Sequence, residues 1–313
     1  MKRWIKYLAT RITYMVITLF LIITCTFFLM NEMPGSPFQN LDQLTELQYK
    51  LLDEKYGFDK PVTERYFTYL KNILHGEFGI SLQFNNQSVA KIVFKRFGPS
   101  LKLGLQALVV GTLLGVLLGV IAAMKQNSWV DSFCSILAIA GRSVPNFIFA
   151  VLLQFVFAVS LKMLPITYDK GSLIGSILPT LALAISPMAL SSRFIRTQMI
   201  EVLHSDYIEL GRAKGANDWQ LVFHHGLRNS LIPLITVLGP MIVSLVTGSL
   251  VVENIFAIPG VGEQLTKSIL THDYPTIMAI TILFSALLIF ALFVCDILYR
   301  VVDPRLRIEG GSS

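Results

Sequence analysis

The sequence predicts an all-α integral membrane protein that crosses the bilayer six times, with both termini in the cytoplasm. Three observations predict it. The 313 residues are 53% hydrophobic and only 15% charged, whereas a soluble domain carries about 25% charged side chains. The apolar residues gather in six blocks of about twenty, the helix length that spans a hydrocarbon core. The cations of the short loops fall mostly on one side of those blocks.

The blocks cover residues 12–30, 103–124, 133–161, 173–192, 230–252 and 276–299. The first follows Lys2, Arg3, Lys6 and Arg11, as in a secretory signal. Its apolar run is too long and no small-residue cleavage site follows, so it reads as an uncleaved anchor. With the N-terminus inside, the cytoplasmic side holds Lys2, Arg3, Lys6, Arg11, Lys125, Arg193, Arg196, Arg212, Lys214, Arg228, Arg300, Arg305 and Arg307. The short outer loops hold Lys162, Lys170 and Lys267. That asymmetry sets the orientation. The net charge of +6 therefore reflects topology, and a nucleic-acid partner is not expected.

Within the second block, Gly111, Gly115 and Gly119 recur every fourth residue on one helix face. Small residues at that spacing let helices approach closely in lipid, so this face is read as a packing seam. Cys25, Cys134 and Cys295 all lie in apolar blocks and read as small buried side chains. His75, His204, His224, His225 and His272 form no ligand cluster, and no metal is expected. Asp296 and Arg300 are spaced as an i, i+4 ion pair. Arg193 and Arg196 are expected to snorkel to the inner interface.

Residues 31–100 form the one long outer segment. A helix is expected after Pro61, capped by Thr63, presenting Tyr66, Leu70, Ile73 and Leu74 on one face and ended by Gly76. Two readings stand side by side: a small cap at the membrane surface, or a docking surface for an external delivery protein. After the fifth block comes Glu253, then Phe256-Ala257-Ile258-Pro259-Gly260-Val261-Gly262. Pro and Gly forbid a continuous helix there, and a tightly turned segment is expected as part of an outer gate.

The most informative loop lies between blocks four and five, residues 193–229. Asp206, with Glu209 three residues on, has the pattern of a capping box. Gly215 suits the left-handed position that ends a helix. Asn217 or Asp218 then starts a second helix, 219–229. The expected shape is a helix–turn–helix elbow with Ala213 and Gly215 at its tip. Such a loop is too polar for lipid and is a place to meet soluble machinery.

One further residue stands out. Arg142 lies eleven residues beyond Asp131, about 16 Å along a helix and so near mid-bilayer. An ionisable group there is a functional candidate. It either faces the translocation cavity, together with Ser143, Pro145 and Asn146, or pairs with a carbonyl or acid of a neighbouring helix.

Several of these segments resemble a known family. Glu209-Leu210-Gly211-Arg212-Ala213-Lys214-Gly215 is similar to the Glu-Ala-Ala-x-x-x-Gly loop of bacterial ABC importer permeases, with Leu210 and Gly211 in place of the alanines. Arg212-Ala213-Lys214-Gly215 followed by His225-Gly226-Leu227-Arg228-Asn229 and Pro233 resembles the oligopeptide/dipeptide/nickel subgroup, and most closely its B-type subunits. Further matches are Gly248-Ser249, Ile255-Phe256, Ile258-Pro259-Gly260, Asp273-Tyr274-Pro275 and Asp303-Pro304-Arg305. The resemblance covers nearly the whole chain.

It implies a type I ABC importer permease fold and a peptide-importing transport subunit rather than an enzyme, in the bacterial cytoplasmic membrane. It also implies the partners: a second homologous permease subunit, two cytoplasmic ATP-binding subunits and an extracytoplasmic peptide-binding protein. Asp206, Tyr207, Glu209, Arg212, Ala213, Lys214 and Gly215 would form the ATPase-coupling loop. Glu253, Phe256, Pro259, Gly260 and Gly262 would belong to the outer gate. ATP and Mg would bind the partner ATPases, in keeping with the lack of a Gly-x-x-x-x-Gly-Lys-[Ser/Thr] motif in this sequence. The chain then divides into a tail and first span (1–30), an outer cap segment (31–100), a five-span core (101–306) and a C-terminal tail (307–313). A nickel-chelate importer within the same family is the alternative. From other classes, the alternatives are an ion-gradient transporter and a membrane anchor.

Overall fold

The computed structural model describes residues 2–33, 57–84, 86–217, 219–247 and 250–302, with residues 47, 50, 51 and 54. Gly248-Ser249, Asp218, the 303–313 tail with Arg305 and Arg307, and much of the expected outer cap lie outside the described residues. So do the side chains of Lys2, Arg3, His224, His225 and Arg300, the last being one half of the expected pair with Asp296.

Among the described residues the regular structure is helical, apart from one bridge between Ile80 and Ser88. The helices are α1 (Lys2–Glu32), α2 (Val62–Leu74), α3 (Val89–Met124), α4 (Trp129–Ser143), α5 (Asn146–Leu153), α6 (Ile174–Leu203), α7 (Asp206–Ala213), α8 (Arg228–Thr247), α9 (Leu250–Ile255), α10 (Val261–Leu270) and α11 (Tyr274–Val302). Two π-helical runs, Gln154–Ser160 and Gln220–Leu227, extend α5 and lead into α8. Among the described residues, five helical stretches are long and apolar enough to cross a membrane, and the bent pair α4 and α5 makes a sixth if it counts as one span.

That pair corrects the expected third span. It is broken by 105° between Ser143 and Asn146. Proline biases the residue before it away from the helical region. Val144 accordingly takes φ −90°, ψ 126°, and α4 ends on it. The fourth span also differs, since α6 continues to Leu203 instead of stopping near residue 192.

The chain divides into two compact units. One comprises Met1–Gly98 with Pro259–Phe290, the other Pro99–Ile258 with Ala291–Ser313. In the first unit, Phe27 of α1, Tyr66 of α2 and Met278 of α11 form a buried cluster, and Tyr66 Oη lies 2.7 Å from Thr24 Oγ1. One expectation for α2 fails. Pro61 holds the N-cap position without a side-chain bond, so Thr63 lies inside the helix. Leu74 is 85% exposed, whereas Tyr66, Tyr69 and Leu70 pack in the cluster with Phe27 and Arg65 donates to Asn31 Oδ1 of α1 at 3.0 Å. Gly76 follows the helix at φ +78°.

Asp273 ties the same unit together beside α11. It is fully buried and accepts the Ser81 hydroxyl at 2.5 Å, the Thr276 hydroxyl at 2.7 Å and the Leu82 N–H at 3.2 Å.

In the second unit, α3 and α6 meet along the predicted glycine seam. A Cβ at Gly111, Gly115 or Gly119 would stand within 3.0 Å of the carbonyl oxygen of Ala184, Met188 or Ser192 respectively. The contacts step by four on both helices in the same direction, so α3 and α6 run parallel. The same ends of both helices therefore lie together, and α4 begins beside the end of α3. This gathers Asp131, Arg196 and the loop after α6 at one end of the unit.

Candidate functional site

The elbow after α6 is built from its backbone turns. Ser205, not Asp206, occupies the N-cap of α7, and no side chain caps it. The expected Asp206–Glu209 box is absent because the helix starts one residue earlier than that box requires, with the Glu209 N–H on the Ser205 carbonyl at 3.3 Å.

The far end of α7 matches expectation. Gly215 has φ +85°. Its N–H donates to the Arg212 carbonyl at 2.9 Å, and the Ala216 N–H donates to the Gly211 carbonyl at 3.1 Å. These are the paired bonds of a Schellman ending, which needs a left-handed residue where Gly215 stands.

Asn217 then opens the second arm. Its Oδ1 accepts the Gln220 N–H at 2.8 Å, and its own N–H donates to Gln220 Oε1 at 3.1 Å. The arm is not the separate helix expected over 219–229. It is the π run Gln220–Leu227, which passes directly into α8.

The two arms close on each other through small contacts. A Cβ at Gly211 would stand 2.9 Å from Leu221 Cδ2. Ile208 and Leu221 are buried. The Asn229 side-chain amide donates to Tyr207 Oη at 3.0 Å. The other face is open: Asp206, Glu209, Arg212, Ala213, Lys214 and Gly215 are exposed. Leu210 is 55% exposed and Trp219 67%, and Trp219 stacks on Phe223 with centroids 4.7 Å apart. The elbow is therefore packed inside and presents mixed polar and aromatic surface outside.

The candidate pathway residues sit at the α4–α5 break. Arg142 is exposed in the last turn of α4 and makes no hydrogen bond or ion pair among the described residues. Ser143 ends the helix, and Pro145 starts α5 with φ −57° and ψ 139°. Asn146 is held: its Oδ1 accepts the Ser186 hydroxyl of α6 at 2.9 Å.

The outer-gate candidates fall into two groups. Glu253 is 1% exposed and accepts the Ser100 hydroxyl at 2.6 Å. Phe256 is buried and its carbonyl accepts the Tyr168 N–H at 2.8 Å. Burial, with Asp169 adding to it, raises the Tyr168 phenol above its ordinary pKa. Ala257 turns the chain at φ +52°, and the Ile258 N–H reaches back to the Glu253 carbonyl at 2.8 Å. In the other unit, Pro259 is exposed, Gly260 is the N-cap of α10, and Gly262 is buried in its first turn.

Sequence reasoning missed three arrangements. Gln154, at the start of the first π run, donates from Nε2 to the carbonyls of Ile166 at 2.9 Å and Ile255 at 3.2 Å. Beyond the glycine seam, α3 and α6 leave an open groove of about 550 Å³ that includes Gln106 and Thr180, which are hydrogen-bonded at 3.4 Å. The third corrects an expectation. Arg196 does not snorkel but forks onto Asp131, with Nε to Oδ1 at 2.6 Å and Nη2 to Oδ2 at 2.7 Å. Asp131 in the first turn of an apolar helix was the available signal. Among the described residues, no three His, Cys, Asp or Glu side chains group as a metal site.

Comparison with known proteins follows this geometry. Residues 115–308 match the family described as "Binding-protein-dependent transport system inner membrane component", and residues 4–103 match its N-terminal membrane component. The dipeptide transport system permease protein DppB of Lactococcus lactis is 44% identical, covering 97% of this chain and 100% of that protein. DppB of Bacillus subtilis is 42% identical over 97% of this chain and 98% of its own length. The oligopeptide transport system permease protein OppB of Escherichia coli is 38% identical, with 97% and 99% covered. Among solved structures, an inward-facing MetNI methionine ABC transporter aligns with a TM-score of 0.58 at 18% identity, covering 68% of this chain and 96% of that one. A chain of an amino acid ABC transporter aligns at 0.53 and 15% identity, covering 67% and 94%. These two similarities concern the fold.

Proposed function

The chain belongs to the inner-membrane components of binding-protein-dependent transport systems, and we propose from that membership that it is the membrane-spanning permease subunit of a peptide importer driven by ATP. The observation that carries this reading is likeness along 97% of the chain to dipeptide and oligopeptide permeases. The chain has the type I permease fold, sits in the inner membrane, and is a transport subunit rather than an enzyme.

The proposal assigns the elbow Asp206–Gly215 to contact with a cytoplasmic ATPase that binds ATP and Mg. Its open face and packed interior support this. A second permease subunit completes the pathway, and an extracytoplasmic binding protein delivers peptide, with residues 31–100 as the outer cap. ATP binding draws the ATPases together, the elbows move with them, and the helices turn the cavity outward. Hydrolysis returns it inward. Coupling requires the elbow to contact the two ATPase states with different free energy. Arg142, Ser143, Pro145 and Asn146 are assigned to the pathway, and Glu253, Phe256, Pro259, Gly260 and Gly262 to its outer gate.

Affinity purification of this chain from mild detergent tests the assembly. Two ATP-binding subunits and a second permease are expected to accompany it. Their absence would overturn the proposal.

A further inference from the structure

The Asp131–Arg196 fork stands between the elbow and the α4–α5 break. Asp131 is 4% exposed in the first turn of α4. Besides the fork, its Oδ2 accepts the Asn127 N–H at 3.0 Å, and its Oδ1 accepts the Ser135 hydroxyl at 3.5 Å. A planar guanidinium on a carboxylate fixes both the separation and the rotation of the two groups, which a single ammonium does not. Further along the two helices, the contact at Gly141 is apolar and close. Ala138 and Ala189 are buried there, and a Cβ at Gly141 would stand 3.0 Å from Ile185 Cγ2 and 3.2 Å from Ala189 Cβ. Such contacts hold helices close but resist sliding far less than a directional pair does.

Each partner has a path to one functional region. Arg196 lies one turn from Met199, which is fully buried. A Cβ at Gly226, in the elbow's second arm, would stand 3.1 Å from Met199 Cε. From Arg196 to Leu203 the helix contains neither Gly nor Pro, and only His204 and Ser205 separate it from α7. On the other side, α4 runs without proline from Asp131 to Arg142 and Ser143. The elbow, Arg196, the fork and α4 thus form a continuous series of contacts and helix segments that ends at the break.

We propose that Asp131 and Arg196 are positioning residues of the transport cycle, a clamp that transmits movement of the cytoplasmic elbow to the α4–α5 break. The inference rests on the reading of the elbow as the ATPase contact. Neither residue touches substrate in this role. What they determine is how much transport each ATP supports.

The test uses the whole importer reconstituted in vesicles with its binding protein and a mixture of radiolabelled di- and tripeptides. The readout is peptide accumulated per ATP hydrolysed, normalised to assembled complex, for Asp131→Asn and Arg196→Lys. The ratio is expected to fall roughly tenfold in both, within the usual range of coupling between sites, although Arg196→Lys keeps its charge. A purely structural role would lower the amount of complex and leave the ratio alone. A wild-type ratio in either variant, or failure of both to assemble, overturns the proposal. Failure of the elbow reading is a separate result, because then no ATPase accompanies the wild-type chain.

Discussion

Asn217 and Gln220 cap each other: Asn217 Oδ1 holds the Gln220 N–H at 2.8 Å, and Gln220 Oε1 holds the Asn217 N–H at 3.1 Å. This reciprocal pair fixes where the elbow's second arm begins. Replacing Asn217 with Ala removes a helix cap and is expected to destabilise that arm by about 1 kcal/mol. Hydrogen exchange at the Gln220 amide should quicken accordingly. Adding Gln220→Ala should change little more, since the two bonds belong to one motif. Protection at wild-type level in Asn217→Ala would show that the cap does not hold the arm.

At the tip, Gly215 holds φ +85° and its missing Cβ faces open space. Its own chain therefore restricts only the backbone. Gly215→Asn should keep the turn, since Asn tolerates the left-handed region. Gly215→Glu and Ala213→Asp put bulk and charge on the open face, and both are expected to uncouple ATP hydrolysis from uptake in the assembled importer. Full transport activity in either would count against an ATPase contact at this tip.

The glycine seam makes a prediction about stability alone. Gly115→Val places atoms against the Met188 carbonyl and Ser191 Cβ. Overpacking of this kind costs about 1–3 kcal/mol. Thermal unfolding of the purified protein in detergent should shift down, while Gly76→Ala, where nothing stands within 4 Å and only the φ of +78° is strained, should shift it less. Equal shifts would mean that the α3–α6 approach is not tight at Gly115.

How much of this was legible in the sequence varies with the kind of information required. Helix spans need only apolar length, and the seam needs only spacing, so the Gly111, Gly115 and Gly119 face was readable. Its partner was not, because nothing in one helix names Ala184, Met188 and Ser192 on another. The third block has the apolar length of one continuous span although Pro145 stands in it. The pre-proline bias of Val144 away from the helical region is readable, but the angle of the break, 105°, is not. Gly215 was readable because a left-handed turn strongly favours one residue type. Ser205 against Asp206 was not, since both are good caps one residue apart. Arg196 was misplaced for a simple reason: depth in the membrane follows from sequence, but an acid 65 residues away does not.

Arg142 is exposed at the end of α4, with no partner among the described residues. If it faces the pathway, Arg142→Gln removes a positive charge from the route of a peptide carboxylate or carbonyl. Uptake should fall while the amount of co-purifying ATPase stays at the wild-type level. Unchanged peptide uptake would remove Arg142 from the pathway.

The central claim is that ATP, acting through partner subunits, drives peptide across this chain. Uptake of radiolabelled peptide by vesicles carrying the complete importer tests it most directly, with ATP supplied on the cytoplasmic face and proton and sodium gradients varied independently. Uptake is expected to follow ATP and to persist when both gradients are collapsed. Uptake that follows a gradient and ignores ATP would contradict the account.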